Sequence, residues 1–461
     1  MLFSSVPFLY YFLPAVILCY FLVPRQLKNT VLLLFSLAFY AWGEPRYVLL
    51  MVVTIAAFYS CGLAIGKANS NGWKKCWLWV SIIVGIGFLA VFKYADFFID
   101  SFNKTTGLGL PLLRLALPVG ISFYTFQSIS YTVDVYRGNV PAQKNPISFG
   151  AYVTLFPQLI AGPIVRYADV ARELDHRTHN WENISIGARR FLIGLGKKVL
   201  IADQFALFIK LFRESQAQSV LFYWLYAIAF MLNIYFDFSG YFDMAIGLGR
   251  IFGFHFHENF NYPYISKSIT EFWRRWHMSL GGWFRDYVYI PLGGNRVSPG
   301  KWVRNIFVVW LLTGLWHGAA WNFVLWGLFF GVMLLLEKWL PALQKLPVFL
   351  RHSYVLLLIL FSFVLFNGED LSQVGGDFSA MFGLAHLPVA TGETLYYLRS
   401  YGMLFAAGII GATPLVKRIA LRFANKRIGA ILELILLIAI LLLCTAYMVD
   451  GSFSPFLYFR F

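Results

Sequence analysis

The sequence predicts an all-α, multi-pass membrane protein, and three observations carry that reading. Of its 461 residues, 59% are hydrophobic, 19% aromatic and only 13% charged, whereas soluble domains carry about a quarter charged residues. Apolar runs of roughly 17 to 25 residues recur from end to end, each long enough at about 1.5 Å rise per residue to cross a hydrocarbon core of about 30 Å. Basic residues gather at the ends of those runs: Lys74-Lys75, Arg189-Arg190 with Lys197-Lys198, the Arg274 to Arg304 region, Lys338 to Arg351, and Lys417 to Arg427. The positive-inside bias places such clusters on the cytoplasmic side. Topology therefore accounts for the net charge of +16, and no nucleic-acid partner is expected.

Taken in order, the runs centre near residues 15, 36, 55, 85, 123, 155, 200, 228, 312, 327, 360, 408 and 438, which reads as roughly eleven transmembrane helices plus one or two shorter re-entrant or interfacial pieces. The first, Val6 to Val23, has no basic residue ahead of it and no small-residue cleavage site, so it reads as a retained span. Cys19 follows Leu18, where a lipoprotein processing site would want Gly or Ala. Cys19, Cys61, Cys76 and Cys444 lie in or beside apolar segments without disulfide or metal-ligand spacing. Gly368 to Leu398 carries Glu369, Asp370, Asp377 and Glu393 with no Lys or Arg, and is placed outside. No linker divides the chain, so residues 1–461 read as a single membrane domain. It shows no internal repeat and no G-x-x-x-x-G-K-[ST] phosphate loop.

The least hydrophobic part of the interior is Glu258 to Tyr287. Ser268 and Glu271 have capping-box spacing and Gly281-Gly282 supply a stop, so a helix of about a dozen residues is expected between them. That is too short to span. With Arg274, Arg275 and His277 beside Phe272, Trp273 and Trp276, it would lie at the interface or dip into protein.

His317 stands in a charge-free run, thirteen residues after Arg304 and twenty before Glu337, or about 20 Å and 30 Å of helical path from those charges. If Arg304 and Lys338 share a side, the run goes in and returns with half-length helices, with His317 at the deep turn; if it is one tilted span, His317 is at mid-membrane. On a helix Trp310, Thr313, Gly314, His317 and Trp321 share a face. Gly314 and Gly318 have the G-x-x-x-G spacing that lets backbones approach, repeated at Gly327 and Gly331. The imidazole should face protein, where an ionisable group marks a functional path or a structural contact. The bland alternative is a neutral histidine joining two helices by one hydrogen bond. His277, forty residues upstream, would suit proton handling at a polar mouth, or belong to an interfacial aromatic and basic belt. Asp237 and Asp243 read first as ion-pair partners and second as groups that orient a histidine. His255-Phe-His257 alternates like a metal pair but has no cysteine nearby, and no metal is expected. His176 and His179 read as solvated, His352 and His386 as incidental. H-x-x-x-x-D and D-H-H-C strings, two other acyltransferase signatures, are missing.

Several ordered motifs resemble the membrane-bound O-acyltransferase family: Leu117-Pro-Val-Gly-Ile-Ser-Phe-Tyr-Thr-Phe-Gln127, Asp134-Val-Tyr-Arg137 and Phe156-Pro-Gln-Leu-Ile-Ala-Gly-Pro-Ile-Val-Arg166. Tyr235-Phe-Asp-Phe-Ser-Gly-Tyr-Phe-Asp-Met-Ala245, Phe272-Trp-Arg-Arg-Trp-His277, Phe284-Arg-Asp-Tyr-Val-Tyr-Ile-Pro-Leu-Gly-Gly294, Leu315-Trp-His317-Gly and Ser454-Pro-Phe-Leu-Tyr-Phe-Arg-Phe461 look like its bacterial alginate O-acetylation branch. The resemblance spans nearly the whole chain and is densest from about 115 to 330. It implies a ring of helices with a thinned centre, and catalytic roles for His317 and His277. It also implies a bacterial plasma-membrane location and an extracytoplasmic SGNH-hydrolase-like partner that places the acyl group on a cell-surface polysaccharide such as alginate.

The chemistry so implied is acyl transfer from a thioester to a hydroxyl, for which a desolvated neutral imidazole is a suitable base. His317 is the expected base and Asn322 or a backbone N–H the oxyanion donor. No cofactor is expected to be bound; the donor would be acetyl-coenzyme A or an acyl carrier protein thioester from the cytoplasm. Arg274, Arg275, Arg285 and Asp286 are the expected donor-binding groups, with Trp316 and Asp237 beside the path. The rival readings are D-alanyl transfer to teichoic acid or peptidoglycan O-acetylation within the same family, a polysaccharide or lipid-linked sugar transporter, and a non-catalytic scaffold.

Overall fold

The computed structural model describes residues 3–159, 162–423 and 426–451, all of its regular elements among them helical. The C-terminal motif Ser454 to Phe461 lies outside the described residues. Among the described residues six helices are long and apolar enough to cross a membrane: Pro45–Lys67, Asn71–Thr106, Val220–Ile251, Trp321–Trp339, Val348–Asn367 and Arg427–Val449. The pair Gly392–Gly411 and Leu415–Phe423, bent by 72°, makes a seventh if taken as one span. The multi-pass helical architecture agrees with composition, and the count of spans is lower than the count of apolar runs. The run near 36 folds as Lys28–Gly43, 16 residues; that near 155 divides into Pro146–Thr154 and Phe156–Leu159. Apolar stretches can be short because protein, not lipid, covers them.

The described chain forms two compact units, Met1–Phe191 with Phe242–His257, and Leu192–Tyr241 with Glu258–Phe461. In the first, helix Ile121–Arg137 is buried along most of its length, hydroxyls and Gln127 included. Tyr131 and Tyr152 both pack against Tyr167, with ring centroids 5.0 and 5.3 Å apart. Pro146 starts its helix, with the Asn145 side chain accepting from Ile147 and Ser148 N–H, the arrangement those residue types favour. Arg190 pairs with Asp243 at 2.8 Å, the ion pairing expected of that acid. His255 binds Glu173 at 2.7 Å and His257 reaches Asp169 at 3.4 Å, so each histidine of the alternating pair faces its own carboxylate. His179, expected to be solvated, instead meets the Tyr20 hydroxyl at 2.9 Å. Tyr20 gives its own hydrogen to the Phe252 carbonyl, which leaves the imidazole N–H as the donor.

The second unit is organised by a helical hairpin, Pro299–His317 and Trp321–Trp339. A Cβ at Gly314 would collide with the carbonyl of Phe323, and one at Gly327 with that of Trp310. The two glycines face each other and Gly331 lies against Phe307, so the helices run antiparallel at close approach, as the repeated G-x-x-x-G spacing predicts. The charge-free run therefore turns back, and Arg304 and Lys338 lie at the same end. Each arm has 19 residues, about 28 Å, and is a full-length helix instead of the half-length one expected. Helix Val348–Asn367 packs alongside, with Phe366 against both Phe323 and Trp326 at 4.9 and 5.3 Å.

Candidate active site

His317 is the last residue of the first hairpin arm, because Gly318 leaves the helix with φ −166° and ψ 156°. The break through Gly318 to Ala320 removes Trp321 from the face predicted to carry Trp310, Thr313, Gly314 and His317; Trp321 begins the second arm and is exposed. His317 is 6% exposed and is ringed edge-on by Trp316, Trp326 and Phe366, with centroids 5.1, 5.0 and 5.3 Å away. Asn322, the second residue of the returning arm, donates to the carbonyls of Phe366 at 3.3 Å and Gly368 at 2.9 Å. Both its amide hydrogens are thereby engaged. The amide thus holds the apex to the end of the neighbouring helix.

His277 is reached from the other end of the hairpin. The helix expected to run from Ser268 to Gly281 is broken. Ile269–Trp273 forms first, with the Ser268 hydroxyl accepting from Glu271 N–H at 2.9 Å. Glu337 of the second arm accepts from the N–H of Ile269 at 2.5 Å and of Thr270 at 3.0 Å, placing a carboxylate where unpaired N–H groups converge. The chain then turns, and His277 takes the left-handed conformation, φ 46° and ψ 53°, which non-glycine residues seldom adopt. A second helix, Met278–Phe284, continues through the glycines predicted to stop it and into a π-turn, Arg285–Tyr289.

Asn259, a residue the sequence reading did not single out, holds this junction. Its carbonyl accepts from Met278 N–H at 3.1 Å and its side-chain oxygen from Ser279 N–H at 2.7 Å. The amide nitrogen is left facing His277 Nδ1 at 3.4 Å, which makes Nδ1 the acceptor and puts the ring hydrogen on Nε2. Its sequence signal was an asparagine ahead of a short helix, here separated from that helix by eighteen residues. His277 is 2% exposed, and burial pushes its pKa down to about 3, because the cation cannot be solvated there.

The two histidines pack against one indole: Trp316 is 5.9 Å from the His277 ring and 5.1 Å from that of His317. Toward the basic end of the hairpin a cavity of about 1130 Å³ opens, lined by the cations of Lys267, Arg274, Lys338 and Arg351, which outnumber the carboxylates of Glu271 and Glu337, and by Tyr289, Trp302, Trp310, Trp339 and Tyr354. Trp310, seven residues before His317, both lines this cavity and packs against Trp273 at 4.7 Å and Trp326 at 6.3 Å. Since Trp326 touches His317, aromatic contacts run unbroken from the cavity to the imidazole.

Of the other residues singled out from sequence, Arg274 lines the cavity. Arg275 is held by Glu271 at 2.9 Å and the Asn261 carbonyl at 3.1 Å, and Arg285 by its neighbour Asp286 at 2.6 Å. Neither arginine, nor Asp286, is among the cavity-lining residues; their geometry is that of local ion pairs. Asp237 meets Lys198 at 2.7 Å, and Lys198 meets Asp203 at 2.7 Å, all three buried. Lys338 and Arg351 were read only as topology signals and Lys267 was not singled out, which concealed their convergence.

A model of the membrane-bound O-acyltransferase family matches residues 140–369. The chain is 40% identical to "Probable alginate O-acetylase AlgI" of Azotobacter vinelandii over 499 aligned residues, covering 100% of both chains. It is 44% identical to the protein of the same name from Pseudomonas aeruginosa, over 83% of this chain and 75% of that one. It is 36% identical to the peptidoglycan O-acetyltransferase of Helicobacter pylori, over 83% and 80%. Because the matched stretch contains both arms of the hairpin, both histidines and most of the cavity wall, the likeness covers this region as well as the apolar scaffold, and the chain belongs to the membrane-bound O-acyltransferase family, as an acyltransferase of the bacterial plasma membrane.

Proposed function

We propose that the chain transfers an acetyl group from acetyl-coenzyme A toward a hydroxyl of a cell-surface polysaccharide, with His317 as general base. The observation that carries this reading is the aromatic path joining a cation-lined cavity to a buried imidazole at the hairpin apex. Lys267, Arg274, Lys338 and Arg351 suit the phosphates and Trp302, Trp339 and Tyr354 the adenine of the donor. Its thin pantetheine arm follows Trp310 and Trp326 inward. At the apex the acceptor oxygen attacks the thioester carbonyl as His317 takes its proton; the carbon–sulfur bond then breaks and the departing thiolate regains a proton. His277, fixed by Asn259 and turned toward Trp316, keeps that indole in place and has its ring hydrogen on Nε2 to donate.

Alginate O-acetylation, as in the relatives so named, is the leading acceptor chemistry, handed on by an extracytoplasmic partner of the SGNH-hydrolase type. The test is transfer of label from acetyl-coenzyme A by the purified chain in nanodiscs, with native protein, His317→Ala and Lys338→Gln/Arg351→Gln compared. Label transfer or donor hydrolysis should vanish in His317→Ala, and the double variant should raise KM for the donor at least tenfold with smaller change in kcat. Equal turnover in His317→Ala would exclude it as base. Turnover only from a carrier-protein thioester would move the donor assignment to D-alanyl-type chemistry.

A further inference from the structure

We infer that helix Leu415–Phe423 lies in the plane of the membrane and binds the anionic phospholipid surface of the leaflet at its end of the molecule. Helix Gly392–Gly411 ends at Ala412 to Pro414, and the chain bends by 72° before Leu415–Phe423. The spanning helix Arg427–Val449 follows. A short helix between two long apolar ones, turned nearly at right angles to the first, lies along a membrane surface when that first helix crosses it.

Its residues divide accordingly. At 100° per residue Leu415, Val416, Ile419, Ala420 and Phe423 share one arc, while Lys417, Arg418 and Arg422 share the opposite one, with Leu421 the single apolar residue among them. All nine residues are exposed, so among the described residues none covers either arc. Lys426 and Arg427 follow at once, and no acidic residue occurs between Glu393 and Glu433. Five cations in eleven residues, uncompensated and set on an exposed apolar base, match the chemistry of a negatively charged lipid surface, where each basic side chain strengthens binding about fivefold at low ionic strength. The lysine and arginine stems can rise past the apolar face to the headgroups. The basic cluster thus has a physical occupant beyond the sidedness that first explained it.

The test uses the full chain in nanodiscs of phosphatidylcholine, alone or mixed with phosphatidylglycerol, against Lys417→Gln/Arg418→Gln/Arg422→Gln, with the melting temperature read at low and high salt. The native chain should melt higher in the mixed lipid, and high salt should shrink the gain. The triple variant should lose most of that gain yet match the native chain in phosphatidylcholine alone. Ile419→Gln, on the apolar arc, should lower melting in both lipids. An equal gain in native and triple variant, or no gain in the native chain, overturns the inference; glycerol phosphate reproducing the gain in phosphatidylcholine discs overturns it in favour of a free phosphate.

Discussion

The side-chain amide of Asn322 donates to the backbone carbonyl of Gly368 at 2.9 Å, and this bond fastens the apex of the hairpin to the far end of helix Val348–Asn367. Asn322→Ala leaves the carbonyls of Phe366 and Gly368 without that donor in a buried setting, at a cost of about 1–3 kcal/mol. Asn322→Asp costs more, since a carboxylate has no hydrogen to give either carbonyl. Thermal unfolding in nanodiscs should rank native above Ala above Asp; an aspartate variant as stable as the native chain would refute the assignment.

Gly314 and Gly327 are irreplaceable for a steric reason. Adding one methyl group at either drives it into a backbone carbonyl of the opposite arm, and backbone cannot step aside as a side chain can. Gly314→Ala and Gly327→Ala should lower folded yield sharply and abolish turnover. Gly281→Ala is the control: a Cβ there meets nothing within 4 Å, and within helix Met278–Phe284 alanine should raise stability by about 0.5–1 kcal/mol. Size-exclusion yield and melting temperature separate the two cases.

Burial holds His277 near pKa 3, against about 6.5 in an unfolded chain. Between those values the unfolded chain binds the extra proton, so stability contributed by the neutral ring is fully present above about pH 6.5 and declines as pH falls toward 3. A plot of melting temperature from pH 4 to 7 should slope upward for the native chain and more shallowly for His277→Gln. Parallel plots would show that the ring is not the group responsible. The acidic limb of turnover above pH 5 should be unchanged by this replacement in its midpoint, because the ring is already neutral there.

Lys198 lies between the carboxylates of Asp203 and Asp237, 2.7 Å from each. Lys198→Met leaves two buried acids facing an apolar side chain and should cost about 3–5 kcal/mol. Asp203→Asn retains the Lys198–Asp237 pair, balanced in charge, and should cost less. Denaturation midpoints measured side by side give the order; an Asp203→Asn variant more damaging than Lys198→Met would contradict it.

Much of this was legible in the residues. Composition specified helices in a membrane, and the spacing of Gly314, Gly318, Gly327 and Gly331 specified a close helix pair with His317 near its contact. The break at His277 was not legible, because a histidine in a left-handed conformation has no local signature and its support comes from Asn259, eighteen positions earlier. Trp321 was misplaced because a face drawn by helical period assumes the helix continues, and Gly318 interrupts it. Several apolar runs fold as helices too short to cross on their own, because hydropathy registers an apolar run whether it forms one long helix or breaks into two. The cavity was hidden for a related reason: Lys267, Lys338 and Arg351 come from separate segments, and only folding brings them to one wall.

The carboxylate of Glu337 gives the two histidines a common datum. One arm of the hairpin carries His317 at its tip, while Glu337 on the other arm suspends the short helix that leads to His277. The hairpin therefore bears on both imidazoles at once, carrying one at its apex and anchoring at its base the short helix that leads to the other.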